Sequence, residues 1–257
     1  MKRFVMACCA VALLVMVSGC GSGTKSSSTA VAPQWSYSGE DGPAQWGTLD
    51  PKWAACADGS EQSPIAIVNP VAADLADPVI AYKAGPADVV NNGHSIEVEA
   101  NDSGSLTVDG IEYPLAFMHF HAPGEHTING ETFPLGVHLG HKTPEGELAV
   151  LGITVKQGAA ENPAWDPYIS ALGTAAGATT EINIDWAAML PASLKTYRYD
   201  GSLTTPGCAE GVAWMVLQTP VELSARQIAA FQAAYSDNAR PLQPLNGRTV
   251  QADNTAG

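Results

Sequence analysis

Three histidines carry the most legible chemistry in this chain. His119 and His121 stand two apart in Phe117-Met118-His119-Phe120-His121, and His138 lies in Leu135-Gly136-Val137-His138-Leu139-Gly140-His141. Successive side chains of a β-strand point to opposite faces, so residues two apart share a face, and His119 and His121 can reach one ion from a single strand. By itself a His-x-His pair is more often satisfied polarity in a core than a metal site. The third histidine changes the reading. Around it Leu135, Val137 and Leu139 alternate with Gly136, His138 and Gly140, a period of two that predicts a strand with His138 on the face away from the leucines. Three neutral imidazoles suit zinc, and three protein ligands leave the fourth tetrahedral position for water or substrate, the arrangement of a catalytic ion rather than a structural one. His126 and His141 break these patterns and are left out of the ligand set.

Strands and turns must position these residues. Hydrophobic residues make up 46% of the 257, and 25 Gly and 18 Pro are scattered through them, which implies many turns and short strands rather than long helices. Segments 79–82, 88–91, 95–99, 105–108, 117–121, 125–128, 135–141 and 148–156 read as strands. Asn92-Gly93, Asp109-Gly110 and Asn129-Gly130 supply residues suited to positive φ in tight hairpins. Helical signals are fewer: 162–176, and 224–234 with Ser224 as N-cap and Gln227 three residues on. Trp35, Tyr37, Trp46 and Trp53 mark an irregular N-terminal segment packed on the body. The expectation is a mostly β (α+β) single domain over residues 34–250 with peripheral short helices and a tail at 251–257.

The first residues are set apart from that domain. Lys2 and Arg3 precede an apolar run from Phe4 to Val17, the pattern of a secretory signal over residues 1–19, and the run is short for a membrane span of about 20 residues. Val17-Ser18-Gly19-Cys20 resembles a bacterial lipobox, which implies cleavage before Cys20, a lipid on its thiol and a cell-envelope location; 20–33 then form a flexible tether. Of five cysteines, Cys8 and Cys9 leave with the signal, and Cys56 and Cys208 remain for one disulfide in an oxidising compartment. Two free thiols contributing to metal binding are the weaker alternative, because neither lies near the histidines in sequence. The formal charge of −14 becomes two units more negative once Lys2 and Arg3 are removed. Such acidity argues against nucleic acid and leaves the acyl chains as the only membrane contact.

Beyond the histidines, the chain resembles the α-class carbonic anhydrases from about Trp35 to Arg248. The resemblance runs through Asn91-Asn92-Gly93-His94, Gly124-Glu125-His126-Thr127, Leu148-Ala149-Val150-Leu151-Gly152, Gly201-Ser202-Leu203-Thr204-Thr205-Pro206 and Asn238-Ala239-Arg240-Pro241-Leu242-Gln243-Pro244-Leu245. It implies a central, largely antiparallel ten-stranded sheet, a conical cleft with zinc at its floor, and reversible hydration of carbon dioxide by zinc-bound hydroxide. It also implies Thr204 orienting the nucleophile through Glu125, His94 as proton shuttle, Thr205, Val150, Leu203 and Trp214 as the substrate pocket, a Cys56–Cys208 disulfide and a cis bond at Ser63-Pro64. A catalytically weakened zinc- or partner-binding surface domain is the alternative.

Four departures from the family gather near the expected metal. Phe117 stands where relatives usually carry Gln accepting from the first zinc histidine, and Gly136 where they carry Glu orienting the third. Gly140 replaces a Val of the apolar pocket, which predicts a wider or wetter floor. Gly207 replaces a Pro, which predicts a looser Thr204. Loss of an outer partner costs roughly 10- to 100-fold in metal affinity or activity, so weaker zinc retention is expected, and Glu restored at 136 is expected to raise it.

Overall fold

Residues 34–254 are described by a computed structural model; the signal expected over 1–19, Cys20, the tether expected to 33 and residues 255–257 lie outside them. In chain order the strands are β1 (Ala66–Ile67), β2 (Val71–Ala73), β3 (Val79–Ile80), β4 (Gly85–Asn91), β5 (Ile96–Ala100), β6 (Ser105–Val108), β7 (Ile111–His121), β8 (Thr127–Ile128), β9 (Leu135–Lys142), β10 (Leu148–Gln157), β11 (Thr179–Ile184), β12 (Thr196–Ser202), β13 (Glu210–Leu217), β14 (Val221–Leu223) and β15 (Gln251–Asp253). The helices are α1 (Trp46–Leu49), α2 (Ala55–Asp58), α3 (Asp166–Ala171) and α4 (Ala225–Ala234).

Thirteen strands join one twisted sheet, ten of them on a single path: β11-β4-β5-β7-β9-β10-β13-β12-β15-β2. The expected ten-stranded body is there, but the sheet is mixed. β10 runs parallel to β13 and β14, and β15 parallel to β2, because residues 158–209 and 74–250 intervene as long connections rather than hairpins. Residues 251–253, assigned from the sequence to a tail, close the sheet as β15.

The centre of the sheet sets the site. β7, β9 and β10 are neighbours and antiparallel, and β9 is buried from Leu135 to His141, as a strand covered on both faces must be. One face carries the larger core, where Leu135, Val137 and Leu139 join Phe120, Trp165, Tyr168 and Phe231. Phe120 packs edge-on against Phe231 at 4.9 Å, and full burial of each ring contributes about 1.5–3 kcal/mol. α3 and α4 lie among these residues. α4 begins at the expected capping box, Ser224 accepting from the Gln227 N–H while Gln227 accepts from Ser224. The helix expected over 162–176 is shorter: a 3-10 turn at Pro163–Trp165 leads into α3, which stops where the Thr174 hydroxyl donates to the Ala171 carbonyl at 2.7 Å.

Hairpin chemistry follows the sequence at two of the three turns. Asp109 and Asn129 have φ of 50°, each followed by a glycine at positive φ. At Asn92-Gly93 only the glycine is left-handed; Asn92 uses its Oδ1 to accept from the His94 and Ser95 N–H groups, so its side chain rather than its backbone makes the turn. The Ser63-Pro64 bond is cis, as the resemblance implied, and so is Ala122-Pro123, which it did not mention. Glu125 sits in the loop after that proline rather than in a strand over 125–128; only Thr127–Ile128 pair there, with β1.

Candidate metal centre

The strand register brings the three histidines together. His119 of β7 lies opposite His138 of β9, and His121 two residues on lies opposite Gly136. Across the other edge of β7, His119 faces Glu97 of β5. One nitrogen from each of His119, His121 and His138 lies within 4.8 Å of the others, and no second such group of His, Cys, Asp or Glu occurs among the described residues. Nε2 of His119 and Nε2 of His121 approach to 3.0 Å. Nδ1 of His121 is 2.7 Å from the Asn238 carbonyl, an acceptor only, so that nitrogen carries the proton and Nε2 keeps its lone pair for the cluster. Burial, reinforced by the neighbouring histidines, pushes His119 and His138 well below the ordinary imidazole range and keeps both neutral. Three imidazoles converging on one point are a donor set that fits zinc.

His126 and His141 are occupied elsewhere. Nε2 of His126 is 2.6 Å from the Tyr199 hydroxyl and Nε2 of His141 is 2.6 Å from that of Tyr82. Burial lowers their pKa values to about 3 and about 4, so both stay neutral as core polarity.

The histidines floor a cleft of about 150 Å³. Val150, Leu203, Trp214, Thr204, Thr205 and His94 all line it. Val150 and Trp214 are paired across β10 and β13. His94 stands with its ring stacked on Trp35, centroids 3.8 Å apart, and burial lowers its pKa. Glu125 lies buried beneath the histidines rather than in the cleft. Its Oε1 accepts from the Arg240 N–H at 2.8 Å, and its Oε2 is 3.5 Å from Nε2 of His121. Burial raises the Glu125 pKa, opposed by His121, the Arg240 N–H, the Thr204 hydroxyl and the Arg240 guanidinium, all of which favour the charged form.

The departures near the metal look different in three dimensions. A β-carbon at Gly140 would stand 2.6 and 2.7 Å from two ring carbons of Phe117, so the Phe117 ring fills the space that a residue 140 side chain would occupy. The floor is therefore not widened by Gly140. A register shift between Leu115 and Phe117 places Phe117 opposite Gly140, and the ring then stacks on His119 at 5.5 Å. Gly140→Val is expected to cost about 1–3 kcal/mol through overpacking, and Phe117→Ala in the same chain should recover most of that loss in a urea melt.

Gly207 has φ of 98°, which proline cannot adopt, so the turn itself requires the glycine. Thr204 is braced despite it: the Leu203 N–H donates to Ala209 at 3.0 Å, the Cys208 N–H donates to Thr205 at 3.0 Å, and Cys208 is joined to Cys56 by a disulfide. At Gly136 a β-carbon would meet the Gly124 Cα at 3.0 Å and the Glu125 nitrogen at 3.4 Å. A glutamate there must first displace the Gly124 backbone, which sets a steric cost against the gain in affinity expected from the sequence. Beside Gly136 a cavity of about 10 Å³, roughly one water's worth, is lined by Glu125, His138, Gly152 and Thr154.

Sequence reasoning missed Glu97, Tyr37 and Asn238. Asn238 clamps the end of β7: its carbonyl faces His121, its Oδ1 accepts from the Ala122 N–H at 2.8 Å, and its Nδ2 donates to the Phe120 carbonyl at 3.1 Å. It stands in the motif Asn238-Ala239-Arg240 already singled out, which was the available signal. Tyr37 and Glu97 line the cleft without any motif to mark them.

A family model described as eukaryotic-type carbonic anhydrase matches residues 41–254. A carbonic anhydrase of Pectobacterium atrosepticum is 39% identical over 243 residues, spanning 93% of this chain and 97% of its own. The solved structure of the α-carbonic anhydrase from Thermovibrio ammonificans with the inhibitor sulfanilamide superposes with a TM-score of 0.83 at 41% identity, over 86% of this chain and 100% of the other. That of dioscorin complexed with ascorbate does so with a TM-score of 0.78 at 34% identity, over 85% and 97%.

Proposed function

Because this chain belongs to the eukaryotic-type carbonic anhydrase family, we propose that it hydrates carbon dioxide reversibly to bicarbonate and a proton, with His119, His121 and His138 holding a zinc ion. The observation that carries this reading is the convergence of three imidazole nitrogens within 4.8 Å at the floor of a cleft. A zinc ion held by these histidines would supply acidification of water, making a nucleophile available at neutral pH.

The chain's own residues do the rest. A threonine hydroxyl has one proton; given to ionised Glu125, it leaves the Thr204 oxygen able only to accept, which fixes the orientation of the nucleophile. Val150, Leu203 and Trp214 offer an apolar wall suited to a molecule without a dipole, and Thr205 offers a hydroxyl to the bicarbonate that forms. His94 takes the released proton to buffer: its lowered pKa keeps the ring neutral and receptive at pH 7. In His94→Ala turnover should fall about 10-fold or more at low buffer concentration and recover when imidazole is added. Unchanged turnover at low buffer would remove His94 from the pathway.

We propose separately that lipid on Cys20 anchors the domain at the cell envelope; the support is the run Val17-Ser18-Gly19-Cys20. Labelled fatty acid should be incorporated by the whole chain and not by Cys20→Ala.

Stopped-flow hydration tests the function, with zinc assayed in the same sample and a sulfonamide control. Inhibitable hydration with one zinc per chain is the expected result. Bound zinc without hydration would favour the weakened binding domain.

A further inference from the structure

We propose that Glu97 is a positioning residue for His119, its carboxylate accepting a hydrogen bond from Nδ1–H so that Nε2 is held toward the metal. The proposal rests on the zinc reading above. A neutral imidazole has one N–H and one lone pair, and a metal-binding histidine must spend its second nitrogen on an acceptor that fixes the tautomer. In His121 that acceptor is the Asn238 carbonyl. In His119, Nε2 faces His121 Nε2 at 3.0 Å, so Nε2 points into the cluster and Nδ1 points out of it.

What Nδ1 meets there is Glu97. Phe117, two residues back on the same face of β7, lays its ring against the imidazole at an interplanar angle of 11° and has nothing to accept with. Glu97 stands directly opposite His119 across β5 and β7, its Oε2 3.9 Å from Nδ1. Its side chain is 29% exposed and so retains the freedom to close that gap by about 1 Å to hydrogen-bond length, or to bridge it through one water. Glu99, the other acid of β5, pairs with Phe117 and not with a histidine.

An anion is a different partner from a carbonyl. A charge-assisted bond to Nδ1–H is stronger than a neutral one and makes Nε2 the better donor, which tightens the hold on a cation. The same negative charge beside the floor opposes the acidification of water, so hydration should rise with pH later than it would beside an amide. Glu97 thus restores at His119 the retention that Phe117 takes away, and the restoration carries an alkaline shift.

The test uses the zinc-loaded chain and its Glu97→Ala, Glu97→Gln and His119→Ala variants. Zinc release to a chromophoric chelator is followed, with the imidazole N–H signals in a ¹H–¹⁵N spectrum and the pH midpoint of hydration alongside. Glu97→Ala should release zinc about 10- to 100-fold faster and weaken the His119 Nδ1–H signal. Glu97→Gln, which keeps shape and an acceptor, should fall between and move the midpoint to lower pH, a shift that a purely structural role would not produce. Release within about twofold of the parent in both Glu97 variants, with the His119 signal unmoved, would overturn the proposal while leaving the zinc site standing. Zinc held as tightly by His119→Ala would overturn the site and the proposal together.

Discussion

His121→Ala is expected to abolish the zinc binding proposed above and to bring carbon dioxide hydration down to the rate of buffer alone. His121 is the fully buried member of the set, and it is held from two sides: Nδ1 by the Asn238 carbonyl, Nε2 beside His119 and the Glu125 carboxylate. Removing the ring deletes one of three ligands, a larger loss than the roughly 10- to 100-fold that follows removal of an outer partner. It also leaves the Asn238 carbonyl buried without the N–H of the ring, an additional cost of about 1–3 kcal/mol to stability. Zinc content and stopped-flow hydration measured on the same preparation check the first effect, and a urea melt checks the second. Zinc retained at the parental level by His121→Ala would sink the three-histidine site.

Cutting the Cys56–Cys208 disulfide should have the largest effect on stability. The bond closes 152 residues of sequence separation, and loop-closure entropy of that span corresponds to about 5 kcal/mol, with about 2–5 kcal/mol the usual measured loss. Against a typical domain stability of about 5–15 kcal/mol this is a large share. The bond also ties the loop bearing Thr204 and Thr205 to α2, where the Cys56 carbonyl accepts from Arg240 at 3.1 Å and the Cys208 carbonyl from Gln62 at 3.1 Å. Cys56→Ser with Cys208→Ser should therefore lower the urea midpoint strongly, and hydration at temperatures where the fold survives should fall as Thr204 loses its brace. A midpoint within about 1 kcal/mol of the parent would show that the span is held by other contacts.

The sequence made the metal site legible because its signal is local: a two-residue spacing in one strand and an alternating pattern in the next suffice to bring His119, His121 and His138 to one face. The strands from β4 to β10 were legible for the same reason, apart from the first half of β7 and the loop at Glu125. Among the later elements the capped helix α4 was legible, but β12 and β13 were not, because Arg198, Asp200 and Gly201 interrupt β12 and Glu210 and Gly211 open β13, so neither alternates cleanly, although both lie deep in the sheet. The acceptor for His121 is a backbone carbonyl, which every residue has and no sequence can mark. Glu97 becomes visible only when the β5–β7 register is known, and Phe117 meets Gly140 only through the shift after Leu115.

That meeting of Phe117 and Gly140 constrains the order in which this site can change by single substitutions. A lineage that gained the phenylalanine while a branched residue still stood at 140 would force two groups into one volume. One that gained the glycine first would pass instead through a chain with a hole in its cleft floor, at the moderate cost of an unfilled cavity. Once the ring is seated, a branched residue returns to position 140 only at the cost of overpacking unless 117 changes first. The two positions are therefore coupled, and the easier path back toward an aliphatic floor begins on β7.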